Sequence, residues 1–310
     1  MRSLLADFEC NKDKNTQMGP RMTYDSVEQF LRSGTAELAK GPVALIFAED
    51  DVEIASTLYH HLDLGFTKVI VFMPAEFALS DELAALCPRI TMDVARGQPM
   101  IDAVNRIVEA APALWLYYCF NAEYLFFPFC ETRGIGEMLA FHTEEQRDAM
   151  LTYVIDLYAP DLKVTPGAVS LEDAQLDRSG YYALARTDAA NHGHPKERQL
   201  DFFGGLRWRF EEHIPATKRK IDRISIFRAK PGLKLRDDFT FSDEEYNTYA
   251  CPWHNNLTAA VCSFRTAKAL KFNPGSTFDI HEFTWHNSVR FDWHSRQLLD
   301  LGLMEPGQWF

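Results

Sequence analysis

Apolar residues recur along the first half of the chain in short unbroken runs separated by amphipathic stretches. Val43–Ala48 is one such run, and Lys68–Met73 (KVIVFM), ended by Pro74, is a second. Arg89–Asp93 and Ala113–Cys119 form a third and a fourth. Continuous runs of this length fit strands buried on both faces. Helical patterns lie between them: Asp51–Leu64 with Gly65 at its end, Ser80 as N-cap of a helix through Leu86, and Pro99–Ala111 before Pro112. Ahead of the first run, Tyr24–Lys40 is amphipathic through Val27, Phe30, Leu31, Leu38 and Ala39 and predicts a helix broken at Gly34. Strand–helix alternation at this spacing predicts an α/β protein with a mainly parallel sheet covered by helices.

Beyond residue 130 the pattern loosens. Gly136–Phe141 predicts a short helix and Met150–Tyr158 a strand. Residues 159–200 are polar and carry Pro160, Pro166, Gly180 and Gly193, which predicts long surface loops. Ile221–Arg228 predicts a strand, Cys251–Leu270 either a strand or a short helix, and Trp293–Leu303 a helix stopped by Pro306 and Gly307. The expected organisation is an N-terminal extension with a helix (1–40), an α/β half (41–158) and a C-terminal half (159–310).

Composition narrows the function classes. With 32 Lys and Arg against 44 Asp and Glu, the formal charge is -12, which disfavours nucleic acid or an anionic membrane surface as a partner. No stretch approaches the roughly eighteen apolar residues of a membrane span. The start, MRSLLADFECNKDKN, is interrupted by Asp7 and Glu9 and does not read as a signal peptide. Six scattered cysteines (Cys10, Cys87, Cys119, Cys130, Cys251, Cys262) form no C-x-x-C pair and read as buried thiols of a cytoplasmic protein. No Gly-rich dinucleotide fingerprint, Walker loop or serine elbow is present, which argues against dehydrogenase, ATPase and α/β-hydrolase chemistry.

Ligands of parallel sheets bind beyond the carboxyl ends of the strands. Three loops qualify: Glu49-Asp50-Asp51, Met73-Pro74, and Phe120-Asn121-Ala122-Glu123. The carboxylates of the first can accept hydrogen bonds from a base or ribose. Asp50 reads equally as a helix cap, and Asp51 reads first as one.

The segment ALIFAEDDVEIASTLYHHLDLGFTKVIVF resembles the opening of family 2 glycosyltransferases. His61-Leu62-Asp63-Leu64-Gly65-Phe66 matches that family's His-Leu-x-Leu-Gly-Phe turn without a gap, which sets Asp50 on its Glu and Glu49 in place of its Asn. Gln98, Ala103 and Asn105 look like the helix leading into the fourth strand, and WLYYCFNAEYLFFP resembles the Trp-strand-Asp-x-Asp-Glu-Phe-Leu segment. Anchored on Trp115 and Glu123-Tyr124-Leu125, the metal-binding Asp-x-Asp falls on Phe120, Asn121 and Ala122. A shift of one residue would set Asn121 and Glu123 on the pair but breaks the Glu-Tyr-Leu match. The likeness covers residues 42–128 and thins afterwards to Lys220-Ile221 and Ser263-Phe264-Arg265, with Phe239 where a histidine often ends the intervening strand.

The resemblance implies a GT-A-like fold with a C-terminal acceptor-side region. It implies transfer of a sugar from a nucleotide-diphosphate sugar to a glycan or other hydroxyl acceptor, as in surface polysaccharide assembly. With the strand-end rule and the side-chain chemistry added, nucleotide contacts are expected at Glu49, Asp50, Arg96 and Asn121, a general base at Glu123, and acceptor contacts at Lys220, Arg228, Trp253 and His254. A buried Glu123 paired with a basic residue is the competing reading. Phenylalanine and alanine do not coordinate cations, so Mg²⁺ or Mn²⁺ would have too few anionic ligands to be held tightly. A basic side chain would then meet the leaving diphosphate; Arg96, Arg133, Lys220 and Arg228 are the candidates, each also reading as a solvated surface charge. The alternative is a non-catalytic relative that binds a nucleotide, a glycan or a protein.

Other constellations are weaker. His192-x-His194 lacks a Cys or carboxylate at metal spacing. His281, His286 and His294 sit beside Phe283, Trp285, Phe291 and Trp293, an aromatic stripe that reads first as core. Trp253-His254-Asn255-Asn256 suits a sugar face and its hydroxyls.

Overall fold

A computed structural model describes residues 22–94, 99–248 and 256–309. The four apolar runs become β2 (Val43–Phe47), β3 (Lys68–Met73), β4 (Arg89–Thr91) and β5 (Trp115–Phe120), preceded by the short β1 (Thr23–Tyr24). β2 pairs in parallel with β3 and β5, and β3 and β1 pair in parallel with β4. β6 (Glu123–Phe126), β7 (Ala149–Asp156), β11 (Asp222–Arg228) and β12 (Ala259–Ser263) complete a nine-stranded sheet of order β1-β4-β3-β2-β5-β11-β7-β12-β6. β11 runs antiparallel to both β5 and β7, and β7 runs parallel to β12. The carboxyl ends of β2, β3, β5, β7 and β12 therefore share one edge. Residues from the last third of the chain lie inside the same sheet.

Successive residues of a strand face opposite sides. Leu45 and Phe47 of β2, Phe72 of β3 and Tyr118 and Phe120 of β5 enter one core, with Val27 and Phe30 of α1 (Val27–Ser33) and Met100, Val104 and Ile107 of α4 (Pro99–Ala110). Ala44, Ile46, Val71, Tyr117 and Cys119 enter the other, with Ile54 and Leu58 of α2 (Ile54–Asp63), Leu83 of α3 (Asp81–Leu86) and Met138 of α5 (Ile135–Glu144). Helices on both faces explain why these strands carry no polar alternation. Ser80 caps α3 through its hydroxyl, and α1 ends at Gly34.

Three expectations need correction. Residues 159–200 are not merely loops. They contain β8 (Gln175–Asp177), which pairs with β13 (Ser288–Arg290), and β9 (Tyr182–Asp188), which pairs with β10 (His194–Phe203) as an exposed hairpin. His192 and His194 belong to its tip and are exposed. Asp51 does not cap α2: the N-cap is Glu53, in a left-handed conformation, while Asp50 Oδ1 accepts from Val52 N. The Cys251–Leu270 stretch holds both elements offered as alternatives, β12 and then α7 (Arg265–Phe272), a strand and a helix in immediate succession. The two remaining helices are α6 (Gly205–Arg209) and α8 (Ser295–Asp300). Among the described residues no helix is long and apolar enough to cross a membrane.

Two buried histidines tie the cores to pH. His61 is fully buried and shares a 2.7 Å hydrogen bond with Thr57 O; burial pushes its pKa down to about 3. His142, with Nε2 bonded to Ala149 O, is pushed down to about 4, again by burial. A histidine lowered on folding contributes stability above its unfolded value of about 6.5 and loses it as pH falls towards the folded value. The melting temperature is therefore expected to fall between pH 6.5 and 4. In His142→Gln the slope should lessen by up to about 1.4 kcal/mol per pH unit, one proton's worth, measured by thermal unfolding across that range. A variant with an unchanged slope would show that His142 is charged in the folded state.

A cluster of paired charges at the carboxyl edge

The loops after β2 and β5 meet through Asn121. Its side chain is fully buried; Nδ2 donates to Asp50 Oδ1 (2.6 Å) and Val52 O (2.9 Å), and Oδ1 accepts from Glu49 N (2.9 Å). An amide, with donors and an acceptor on one group, suits this position because it fastens backbone and carboxylate together. Asp50 and Asn121 thus touch, as the strand-end rule predicts.

The carboxylates of the first loop face α7, which begins two residues after β12. Arg265 grips Glu49 with two hydrogen bonds of 2.6 Å each, from Nε and Nη2. Lys268, only 3% exposed, donates to both oxygens of Asp50 at 2.9 and 2.8 Å. The Arg265 guanidinium lies over the Phe120 ring, 3.7 Å from its centroid. Arg223 of β11 approaches the same ring at 5.9 Å. Phe120 therefore contacts two guanidinium groups, a cation–π arrangement. Residues three apart on a helix share a face, so α7 offers Arg265 and Lys268 together.

Glu123 is fully buried. It accepts from Phe120 N (2.9 Å), Arg223 Nη2 (2.8 Å) and Ser263 Oγ (3.0 Å). Burial alone would raise its carboxyl, but the Arg223 and Arg265 guanidiniums and these hydrogen bonds hold it below the ordinary value. This is the buried, paired glutamate that competes with the general-base reading. Ala122, in a left-handed conformation, donates its N–H to Thr57 Oγ1 at 2.9 Å, and Phe264 N returns a bond to its carbonyl.

The other expected residues do not join this cluster. Lys220 precedes β11 at the same carboxyl edge, where its carbonyl accepts from Arg207, and its Nζ reaches Asp201 at 3.3 Å. Arg228 ends β11 opposite Trp115, the start of β5, which puts it at the far edge of the sheet from Asp50. Arg133 packs over the Trp309 and Phe129 rings. Arg96, Gln98, Trp253 and His254 lie outside the described residues. In the aromatic stripe, Phe283 and Phe291 are core, and Trp285 Nε1 donates to Asp177 at 2.7 Å.

Sequence reasoning missed Lys268 and Arg223, and met Arg265 only as the end of the Ser263-Phe264-Arg265 likeness, with no role assigned. Lys268 left no mark. A signal existed for Arg223: a charge amid the apolar Ile221, Ile224 and Ile226 of a buried strand needs a partner. Among the described residues no group of three or more His, Cys, Asp or Glu is arranged to hold a metal ion. A cleft of about 270 Å³ runs along Ala75, Phe77, Leu79 and Arg89, and none of the paired charges lines it. No family model matches the chain, and no curated protein matches it; the sheet and its charged edge are what characterise it.

Proposed function

We propose that the chain binds a nucleotide-diphosphate sugar at this edge and moves the sugar to a hydroxyl acceptor, as in surface polysaccharide assembly, with fixed cations in place of a metal ion. The observation that carries the reading is Arg265 seated on Phe120. The resemblance to family 2 glycosyltransferases puts Phe120 and Ala122 where carboxylates would hold the cation. A preorganised guanidinium at the same point supplies positive charge for a leaving diphosphate without reorganisation. Arg265 donates to Glu49 through Nε and Nη2, which leaves Nη1 for a phosphate oxygen. Lys268 adds a second charge one helical turn on. A nucleotide brings phosphate oxygens for the cations and ribose hydroxyl donors for the remaining lone pairs of Glu49 and Asp50, so the ion pairs stay in place as it binds.

The alternative, a non-catalytic binding protein, is favoured by one observation: Glu49 and Asp50 are already matched by Arg265 and Lys268. A thermal-shift screen with nucleotide-diphosphate sugars separates the readings. Ligand at about 100 times its Kd should stabilise the fold by about 2.7 kcal/mol. The shift should be the same in EDTA as in Mn²⁺. A shift that requires Mn²⁺ sinks the metal-free reading. Silence towards every sugar nucleotide at millimolar concentration leaves the binding protein.

A further inference from the structure

Asp156 ends β7, and the register pairs it with Ser263 at the end of β12, beside Arg265. It is 1% exposed. Neither of its oxygens makes a hydrogen bond among the described residues, and the Arg207 Nε is 3.6 Å away. The buried Tyr181 hydroxyl also lacks a hydrogen-bond partner among the described residues. Buried polar groups are almost always satisfied, so two orphans in one neighbourhood call for an explanation.

The surroundings preserve the situation. α6 starts at Gly205, with φ of +61, and a Cβ there would stand 3.0 Å from Asp156 Oδ2. A Cβ on Gly204 would stand 2.3 Å from the Tyr181 ring. Arg207 donates instead to Thr266 Oγ1 (3.1 Å) and Lys220 O (2.6 Å). Burial pushes the Asp156 carboxyl up, with Asp177 acting in the same direction; Arg207 and Thr266 act against it. The carboxyl thus faces the Arg207 guanidinium at 3.6 Å, with only loose contacts from Thr266 and the Arg207 backbone to compensate its burial.

We propose that Asp156 is the acceptor-side base of this edge, taking the proton of the acceptor hydroxyl, with Tyr181 and Arg207 orienting the acceptor. The chemical role rests on the transfer reading above; the orphaned carboxyl does not. In the step, the hydroxyl proton passes to Asp156 while the acceptor oxygen bonds to the anomeric carbon. The bond from that carbon to the phosphate oxygen breaks, and the nucleoside diphosphate leaves with its electron pair beside Arg265 and Lys268. Asp156 then returns the proton to water. Because the carboxyl is closed off, the acceptor enters as Tyr181 leaves its seat on Gly204.

The test compares wild type, Asp156→Asn and Tyr181→Phe by thermal unfolding and by sugar release from UDP-glucose and GDP-mannose, with water as acceptor and across pH. Asp156→Asn is expected to melt about 2–4 °C higher, because a pairing with Arg207 at 3.6 Å, without the short hydrogen bonds that Glu123 makes to Arg223, does not offset the burial of the charge. It should keep the sugar-nucleotide thermal shift and lose sugar release by about 100-fold or more, with the acid limb of the pH profile gone. Tyr181→Phe should fold as stably as wild type and release sugar more slowly. A lower melting temperature for Asp156→Asn marks a structural ion pair with Arg207 and overturns the proposal, as does wild-type sugar release by that variant. Wild-type protein that neither hydrolyses these donors nor shifts with any sugar nucleotide of the thermal screen overturns the transfer reading, and the proton role with it, before Asp156 is altered.

Discussion

Glu123→Gln should destabilise the protein by about 3–5 kcal/mol, because it leaves the Arg223 guanidinium buried without a counter-charge. For a domain of this size that lowers the melting temperature by roughly 10 °C. Glu123 has no exposure and Arg223 has 5%, so water cannot repair the loss. The bond to Phe120 N would survive the substitution, since glutamine keeps an acceptor oxygen. Replacing both members, as in Glu123→Gln with Arg223→Met, should recover much of the stability, because an ion pair exchanged for neutral, well-packed groups is often nearly neutral. Denaturant unfolding of the two single variants and the double variant measures the coupling. A Glu123→Gln protein as stable as wild type would show that the pair does not anchor the loop and would restore Glu123 as the candidate base.

Arg265→Ala should weaken nucleotide-sugar binding by about 10- to 100-fold, the loss expected of a charge-assisted hydrogen bond. The fold should suffer by no more than about 1 kcal/mol, since the Arg265–Glu49 pair is about a quarter to a third exposed and is screened by solvent. Arg265→Lys should restore only part of the affinity, because an ammonium cannot hold Glu49 bidentately and still lie flat on Phe120. Titration calorimetry in EDTA reads both variants. Unchanged affinity in Arg265→Ala would remove the fixed-cation argument altogether.

The sequence made the scaffold legible where burial is symmetrical. Apart from Lys68, which opens β3 and pairs with Glu37, β2, β3 and β5 are apolar at every position because helices cover both faces, and so they stand out as runs. β9 and β10 escaped notice for the opposite reason. Tyr182 and Leu184 are 45% and 56% exposed, and although Phe202 of β10 packs on Tyr153, apolar residues on the exposed side of β9 break the alternation that marks a half-buried strand. At the site, Glu49, Asp50 and Asn121 were found because strand ends in a parallel sheet converge. Lys268 was not, and Arg265 entered only as the end of the Ser263-Phe264-Arg265 likeness, because they stand 218 and 216 residues from their carboxylate partners. Only the placement of β12 beside β7 makes them neighbours, and no local pattern encodes that placement. Glu123 illustrates a further limit. A carboxylate among apolar residues signals a special role, yet its partner at Arg223 decides whether the role is chemistry or fastening.

The position of β11 between β5 and β7 has a consequence for synthesis on the ribosome. β5 and β7 emerge first, but neither can complete its hydrogen bonds until residues 222–228 have been made and threaded between them. Until then the facing edges of β5 and β7 stand open near the middle of the sheet, and β7 and β6 wait further for β12, each edge an invitation to pair with another chain. A chain released early, at residue 158 for example, would keep those edges permanently open. Such a fragment should aggregate rather than fold as an independent α/β unit, and the full-length chain should mature slowly, since its central pairing joins segments more than a hundred residues apart.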